Sequence, residues 1–252
     1  MRSNDSVALV TGAARGIGAA IAARLARDGR KVAMLDANPA IAQTARSLQD
    51  KGYDARPICL DIADHDSVLA LPERLQDWWP QLSILVNNAG ISPKHNGRKS
   101  AIADMSFEEW RRVLDVNLSG TFLVTQTCLP ALTSHGWGRI VIITSQAART
   151  RTPVPGAHYA ATKAGLTGFA RVLAAEVAPA GVTVNCVAPG RIESEMTAEA
   201  GGDLNVSLAQ AIPLGRYGMV QEVAGAVAFL ASDDSSYCTG SIIDVNGGNF
   251  MP

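Results

Sequence analysis

Residues 6–18 read SVALVTGAARGIG, and this stretch decides the fold. Its first half is a short apolar run of the kind found in buried parallel strands. Its second half places Gly12, Gly16 and Gly18 where the chain must turn from that strand into a helix. Glycines at such a turn let a phosphate approach the backbone, and the helix N-terminus stabilises its charge. The G-x3-G-x-G spacing therefore predicts a dinucleotide-binding loop, with glycines that serve only a tight turn as the alternative.

The alternation of strand and helix continues along the chain. Helical patterns separate the apolar runs, and one of them begins at a capping box formed by Ser106 and Glu109. Another, over about 65–78, contains Pro72, which an uninterrupted helix does not accommodate. We expect a single α/β domain over residues 1–252, a Rossmann-type, doubly wound parallel sheet with helices on both faces. Its seven predicted strands are 6–11, 31–36, 55–61, 83–88, 139–145, 182–189 and 241–246.

Composition and charge exclude several functional classes. With 252 residues and a net charge of −1, the chain has no overall field that attracts nucleic acid or an anionic membrane. No apolar run approaches the ~18 residues of a membrane helix, and the N-terminus lacks the pattern of a signal peptide. The four cysteines form no CxxC pair and the four histidines show no ligand spacing. We therefore expect a cytoplasmic protein with reduced thiols and no metal site.

An acidic residue, Asp36, ends the second predicted strand. A carboxylate at this position can accept hydrogen bonds from an adenosine ribose, and it repels a 2′-phosphate. The alternative is a cap for the following helix. Arg15 in the glycine loop favours the opposite preference, because an arginine there can pair with a 2′-phosphate. We predict NAD as the cofactor, with NADP less favoured.

A tyrosine and a lysine stand four residues apart in HYAATKAG, residues 158–165. On a helix, Tyr159 and Lys163 share one face. An ammonium group roughly 4 Å from the phenol stabilises the phenolate by about 4 kcal/mol at an effective dielectric constant of about 20. That energy lowers the pKa of a tyrosine by about three units, although burial opposes the shift. The pair is a candidate acid–base device, with a solvated Tyr–Lys contact as the alternative.

Further motifs complete the pattern. In chain order they are TGAARGIG, Asp61, NNAG at 87–90, Asn117 in VNLSG, Ser145, YAATK, PG at 189–190 and NGG at 246–248. On these residues, over nearly its whole length, the chain resembles the classical short-chain dehydrogenase/reductases. The resemblance implies hydride transfer between a nicotinamide cofactor and a secondary alcohol or ketone. The departures are small: Thr144 replaces a second serine, Asn246 replaces the usual aspartate, and the gap from Ser145 to Tyr159 is one residue longer than in many relatives.

The resemblance also implies a role for each matching residue. Tyr159 is expected to be the general acid–base, while Lys163 binds the nicotinamide ribose and lowers the pKa of the tyrosine. Ser145 is expected to hydrogen-bond the substrate oxygen, and Asn117 to hold a water that relays protons. Asp61 is expected to contact the adenine. The residues expected to bind the cofactor are Gly12, Arg15, Gly16, Ile17, Gly18, Asp36, Asp61, Ile62, Asn88, Ala89, Gly90, Tyr159, Lys163, Pro189, Gly190, Ile192 and Ser194, the last through its hydroxyl to the carboxamide.

Several activities fit this pattern. The first interpretation is an alcohol dehydrogenase or carbonyl reductase with a small-molecule substrate, and the alternative is a 3-oxoacyl-thioester reductase. The intact Ser–Tyr–Lys–Asn set argues against a dinucleotide-binding scaffold without chemistry, and a nucleotide-sugar epimerase would need a further C-terminal substrate region. Loops vary freely, so the substrate loop, about 190–215, does not identify the substrate.

Two predicted pocket loops are basic. Residues 91–103 hold Lys94, Arg98 and Lys99, and residues 146–158 hold Arg149 and Arg151, with no acid in either loop. His95 and His158 add further donors. Arginine suits a carboxylate or phosphate, so an anionic substrate is one hypothesis, and pairing with acids on neighbouring elements is the alternative.

Family analogy and apolar helix faces near 107–134 and 158–178 predict a homotetramer.

Overall fold

The structure, a computed structural model, describes residues 6–193 and 207–251. Seven parallel strands form one sheet in the order β3-β2-β1-β4-β5-β6-β7, as the sequence predicts. The strands are β1 Val7–Thr11, β2 Lys31–Asp36, β3 Ala55–Cys59, β4 Leu82–Asn87, β5 Gly138–Ile143, β6 Val182–Pro189 and β7 Ile242–Val245. The strand order reverses at β1, so the crevice between the carboxyl ends of β1 and β4 is the position where such sheets bind ligands.

Helices cover both faces of the sheet. Along β1, Val7 and Leu9 point into one apolar core, whereas Ala8 and Val10 point into the other. This alternation is why both faces of a parallel strand must be apolar. Within the described residues the main helices are α1 Gly16–Arg27, α2 Ile41–Gln49, α3 His65–Leu69, α4 Leu71–Leu75, α5 Phe107–Leu114, α6 Thr121–Thr133, α7 Ala157–Val177 and α8 Val220–Leu230. Helices α6 and α7 pack against the first core, and α1 and α8 against the second.

The single helix expected over 65–78 is two short helices instead. Helix α3 ends at Leu69, and Pro72 lies in the first turn of α4, where its missing N–H has no intrahelical partner to lose. Gln76 takes a φ of 51°, which ends α4 and starts a 3₁₀ segment that leads into β4.

Helix α5 begins only partly as expected. The Ser106 hydroxyl accepts a hydrogen bond from the Glu109 N–H at 3.1 Å, which is one half of the expected capping box. The Glu109 carboxylate does not complete the box; it accepts hydrogen bonds from His95, Ser100 and His158. The Glu109 side chain therefore binds residues outside its own helix, although the local pattern predicts that it caps that helix.

Helices α5 and α6 join through a π-helical turn, Asp115–Gly120, that carries Asn117. A Cβ on Gly120 would lie 2.8 Å from the Ile62 side chain and carbonyl oxygen. The glycine therefore lets this wide turn approach the loop after β3. Such turns interrupt a helix at functional positions, and here the turn buries Asn117 completely.

Three observations concern the described residues alone. No helix within them combines the length and the apolar composition that crossing a membrane requires. They contain no cluster of His, Cys, Asp and Glu side chains that could hold a metal ion, and Cys59, Cys128, Cys186 and Cys238 are free. Residues 194–206, which include Ser194 and half of the expected substrate loop, lie outside the described residues.

Candidate active site

The glycine loop has the conformation that its sequence requires. Gly12 and Gly16 take φ values of 66° and 58°, in the left-handed region that favours glycine. A Cβ on Gly18 would lie 2.0 Å from the Gly12 carbonyl oxygen, so the start of α1 can pack here only without a side chain. A Cβ on Gly16 would instead enter open space, with no atom within 4 Å. The loop thus leaves room for a phosphate beside the N-terminus of α1.

The NNAG segment is hydrogen-bonded to this loop. The Thr11 hydroxyl oxygen accepts from the backbone N–H groups of both Asn88 and Ala89, each at 3.0 Å. In return, the Asn88 amide donates to the carbonyl oxygens of Thr11 at 2.9 Å and Gly12 at 3.0 Å. The carboxyl ends of β1 and β4 are therefore held together by side chains, with Thr11 at the centre.

Asp36 connects the end of β2 to the same loop. One carboxylate oxygen accepts from the Ala14 N–H at 2.9 Å, and the other from the Asn38 N–H at 2.8 Å. Both bonds hold the negative charge at the wall of the crevice, so Asp36 cannot turn away from a ligand without losing them.

Asp61 follows β3 and is paired with Arg112 of α5 at 2.8 Å. Burial would raise the pKa of Asp61, but the Arg112 hydrogen bond and the Ala63 N–H outweigh it and hold that pKa below its usual range. Asp61 is thus fixed as a carboxylate, with the side chain of Ile62 beside it on the wall.

These segments line one cleft of about 1360 Å³ along the carboxyl ends of the strands. Ser145 lies on its wall, as do Tyr159 and Lys163. Every described residue that the sequence assigns to the cofactor also lines it: Gly12, Arg15, Gly16, Ile17, Gly18, Asp36, Asp61, Ile62, Asn88, Ala89, Gly90, Tyr159, Lys163, Pro189, Gly190 and Ile192.

Lys163 is buried at 3% exposure, and its ammonium donates to the Ile143 carbonyl oxygen at 2.7 Å. Burial lowers the pKa of Lys163 to about 8. The ammonium lies 5.6 Å from the centroid of the Tyr159 ring. Both side chains therefore point into the cleft from the same face of α7, as the four-residue spacing predicts.

The pKa of Tyr159 shifts in the direction opposite to our expectation. Burial raises the pKa of the phenol, and the hydrogen bond with Ser145 opposes that rise only in part. The expected lowering by Lys163 assumed an ammonium directed at the phenol oxygen, whereas this ammonium is engaged by the Ile143 carbonyl. Desolvation is therefore the larger effect on the tyrosine.

Asn117 supports the cleft from behind and is not part of its wall. Its carbonyl oxygen accepts from the Ile91 N–H at 2.8 Å, and its amide donates to the Ile91 carbonyl at 2.9 Å. A Cβ on Gly90 would lie 3.3 Å from the Asn117 oxygen and 3.4 Å from the Lys163 nitrogen. Asn117 thus fixes the chain that follows NNAG, and its water-relay role stays a prediction.

The basic loops are only partly available to a substrate. Arg149 forms an ion pair with Asp244 of β7 and stacks 5.0 Å over the Phe250 ring. His158 is completely buried with both ring nitrogens bonded, so the suggestion that it donates to a substrate is wrong. His95 binds Glu109 through Nε2 but is exposed, and its donation to a substrate stays a prediction. Lys94 and Arg151 of these loops do line the cleft, as does Arg191, which follows β6.

A protein-family model described as "Enoyl-(Acyl carrier protein) reductase" matches residues 12–249. The chain belongs to the classical short-chain dehydrogenase/reductase family. This membership confirms the resemblance inferred from the order of the motifs, and with it an NAD(P)-dependent oxidoreductase on a Rossmann-type fold.

Curated short-chain dehydrogenase/reductases match end to end. The chain is 43% identical over 252 residues to the 3-oxoacyl-[acyl-carrier-protein] reductase FabG of Aquifex aeolicus, covering 99% of both proteins. It is 40% identical to the FabG of Escherichia coli, covering 100% of both.

Solved structures of the family superpose closely. A 3-oxoacyl-[acyl-carrier protein] reductase from Brucella melitensis gives a TM-score of 0.93 at 40% identity, over 98% of this chain and 92% of that one. A second structure with that name and organism, with bound NAD, gives 0.91 at 39% identity over the same shares. A gluconate 5-dehydrogenase from Burkholderia cenocepacia, in complex with NADP and tartrate, gives 0.90 at 32% identity, over 98% and 96%.

Two features of this short-chain dehydrogenase/reductase site escaped the sequence analysis. The Asn249 amide donates to the Gln146 side chain at 3.1 Å, which brings the C-terminal segment beside Ser145. Asn246 accepts from the Gly248 N–H and donates to the Phe250 carbonyl, a donation that the family's usual aspartate could not make. The first feature depends on long-range folding and the second on a local turn, and no periodic pattern encodes either.

Proposed function

We propose that this chain reduces the 3-keto group of an acyl thioester to a hydroxyl group. The substrate takes up a hydride at the ketone carbon and a proton at its oxygen, which gives the 3-hydroxyacyl thioester. The observation that carries the proposal is the convergence of Ser145, Tyr159 and Lys163 on one wall of the dinucleotide cleft. The end-to-end relatives named 3-oxoacyl-[acyl-carrier-protein] reductase favour the thioester over a simple alcohol or ketone.

The described residues fit a nicotinamide dinucleotide. The open space beside Gly16 and the N-terminus of α1 would hold the pyrophosphate, and Asp36 would hold the adenosine ribose. The space beside Gly90 and Lys163 would receive the nicotinamide ribose. Bound there, the cofactor supplies or accepts the hydride.

Side chains of the protein would deliver the proton to the substrate oxygen. The Ser145 hydroxyl, hydrogen-bonded to Tyr159, would orient the substrate oxygen, and the Tyr159 phenol would donate its proton to that oxygen. A phenol whose pKa is raised by burial is protonated at neutral pH, which is the state needed for reduction. Lys163 would add positive charge beside the phenolate that remains.

Asp36 supports a preference for NAD. Its fixed carboxylate would accept hydrogen bonds from ribose hydroxyls and repel a 2′-phosphate. The Brucella melitensis structure with bound NAD is compatible with this preference, whereas Arg15 on the same wall limits it.

A second candidate is the dehydrogenation of a sugar acid. Lys94, Arg151 and Arg191 on the cleft wall could bind a carboxylate. The structural similarity to a gluconate 5-dehydrogenase in complex with tartrate favours the same class of anion.

The two candidates are separated by following nicotinamide absorbance with pure protein. We expect acetoacetyl coenzyme A to be reduced with NADH, and gluconate to be oxidised slowly or not at all. Tyr159→Phe should lower kcat by about 10²–10⁴-fold, because it removes only the proton donor. Tyr237→Phe makes the same chemical change on a fully exposed side chain and should leave kcat unchanged.

Two results would reject the proposal. Rapid oxidation of gluconate without any thioester reduction would assign the chain to the sugar acids. Full turnover by Tyr159→Phe would remove Tyr159 from the mechanism.

A further inference from the structure

One carboxylate, that of Glu109 on α5, bridges two histidines from different parts of the chain. One of its oxygens lies 2.9 Å from His158 Nε2, and the other lies 2.6 Å from His95 Nε2. The Ser100 hydroxyl adds a third bond at 3.1 Å. The hydrogen bonds from His158 and then His95 hold the pKa of Glu109 below its usual range. Glu109 is therefore an ionised acceptor between the loop after β4 and the start of α7.

The hydrogen bonds define the roles of the two ring nitrogens of His158. The Tyr159 backbone N–H donates to His158 Nδ1 at 2.7 Å, so Nδ1 carries no proton. The one ring proton then sits on Nε2 and is donated to Glu109. Nδ1 is thus the acceptor and Nε2 the donor in this geometry. This ring is completely buried.

The hydrogen bond from the Tyr159 N–H to His158 lies in the first turn of α7. The first i to i−4 bond of α7 runs from the Ala160 N–H to the Gly156 carbonyl, so the Tyr159 N–H is the last donor without an intrahelical acceptor. His158 Nδ1 supplies that acceptor. A Cβ on Gly156 would lie 2.7 Å from the His158 ring, and the glycine therefore makes the room that the ring needs.

We propose that Glu109 and His158 are positioning residues for Tyr159. Glu109 orients the His158 ring, and His158 fixes the backbone of Tyr159, so that the phenol meets Ser145 and the substrate oxygen. This inference rests on the proposed acid–base role of Tyr159. A displacement of the reacting group by about 1 Å can cost about 10²-fold in rate. Substitutions of Glu109 or His158 should therefore lower kcat far more than they weaken cofactor binding.

The hydrogen bond between His95 and Glu109 stabilises a different part of the cleft. His95 and Arg98 pair through their backbones around a tight turn, in which Asn96 and Gly97 have positive φ. The bond from His95 to Glu109 anchors this hairpin, next to Lys94 on the cleft wall. Loss of His95 should therefore alter substrate KM and leave kcat nearly unchanged.

Two substitutions at position 158 separate the two bonds of the ring. In His158→Asn, the side-chain oxygen replaces Nδ1 as the acceptor for the Tyr159 N–H and the contact with Glu109 is lost. In His158→Gln, the side-chain amide replaces Nε2 as the donor to Glu109 and the acceptor for Tyr159 is lost. Glu109→Ala removes the orienting carboxylate, and Glu108→Gln is the control on an exposed neighbouring side chain.

Kinetics with acetoacetyl coenzyme A and NADH, or with gluconate and NAD if that is the pair turned over, test the proposal. We expect His158→Gln and Glu109→Ala to lower kcat about 10- to 100-fold with the cofactor KM within threefold. His158→Asn should recover kcat to within about fivefold of the wild type, and Glu108→Gln should match the wild type. Equal kcat values for His158→Asn and His158→Gln, whether both high or both low, would overturn the proposal. So would a fall in kcat for His95→Ala as large as that for His158→Gln.

A spectroscopic measurement keeps the test independent of how well the variants fold. In the wild-type protein, ¹⁵N NMR of the His158 ring should show a proton on Nε2 and none on Nδ1. A proton on Nδ1 at neutral pH would overturn the proposal. Tyr159→Phe distinguishes the two levels of inference: full turnover by that variant rejects the proposed function, whereas loss of turnover there with normal His158→Gln kinetics rejects only the positioning role.

Discussion

Replacing Thr11 by valine tests how the cofactor loop is held. Valine has nearly the shape of threonine but no hydroxyl, so Thr11→Val would leave the backbone N–H groups of Asn88 and Ala89 without their acceptor. A buried donor without a partner costs about 1–3 kcal/mol. Asn88 and Ala89 border the cleft, where water can replace part of the lost hydrogen bonding. We therefore expect the free energy of unfolding to fall by about 3 kcal/mol for the two donors together. For a chain of this length that corresponds to a Tm lower by about 6–12 °C.

Urea unfolding measures the stability change, and nicotinamide titration measures the effect on the cleft. Because Asn88 and Ala89 line the cleft, the cofactor Kd should rise several-fold in Thr11→Val. Thr11→Ser is the matched control: it keeps the oxygen and should lie within about 1 kcal/mol of the wild type. The reasoning is refuted if Thr11→Val unfolds within about 0.5 kcal/mol of the wild type, because the two hydrogen bonds would then contribute nothing.

Three further predictions concern the cofactor, the basic loops and the assembly. Asp36→Asn keeps an acceptor but removes the charge, so the ratio of kcat/KM for NAD over NADP should fall by about tenfold, or ~1.4 kcal/mol; an unchanged ratio in steady-state kinetics contradicts this. Arg149→Ala leaves Asp244 unpaired and should lower the free energy of unfolding by about 2 kcal/mol, whereas Arg151→Ala should leave stability unchanged and raise KM for an anionic substrate only. If Arg149→Ala instead raised KM for the anionic substrate and left thermal unfolding unchanged, Arg149 would be a substrate-binding residue. Light scattering should give a mass of about four times 26.4 kDa, because Phe107, Phe122 and Val172 leave apolar surface exposed on α5, α6 and α7; a monomer would refute the tetramer.

Local patterns in the sequence determine the strands and much of the site. Near-continuous apolar runs can be satisfied only by strands buried on both faces, and the seven runs become seven parallel strands. The glycine loop is largely local, because its positive φ values and the contact of Gly18 with the Gly12 carbonyl arise within residues 12–18. Tyr159 and Lys163 share a face because four residues make about one helical turn. These constraints act between residues that are near in sequence, so they can be recognised from the amino-acid sequence alone.

The tertiary structure decided which charged groups find partners. Arg149 follows β5 and Asp244 lies on β7, and only the sheet order brings them together. In the same way, Glu109 leaves its expected capping box for two histidines that are 14 and 49 residues away. Burial, which likewise depends on the whole fold, raises the pKa of Tyr159 where the local pair predicts a lower one. Charge pairing and desolvation depend on three-dimensional neighbours, and the spacing of residues along the chain does not specify those neighbours.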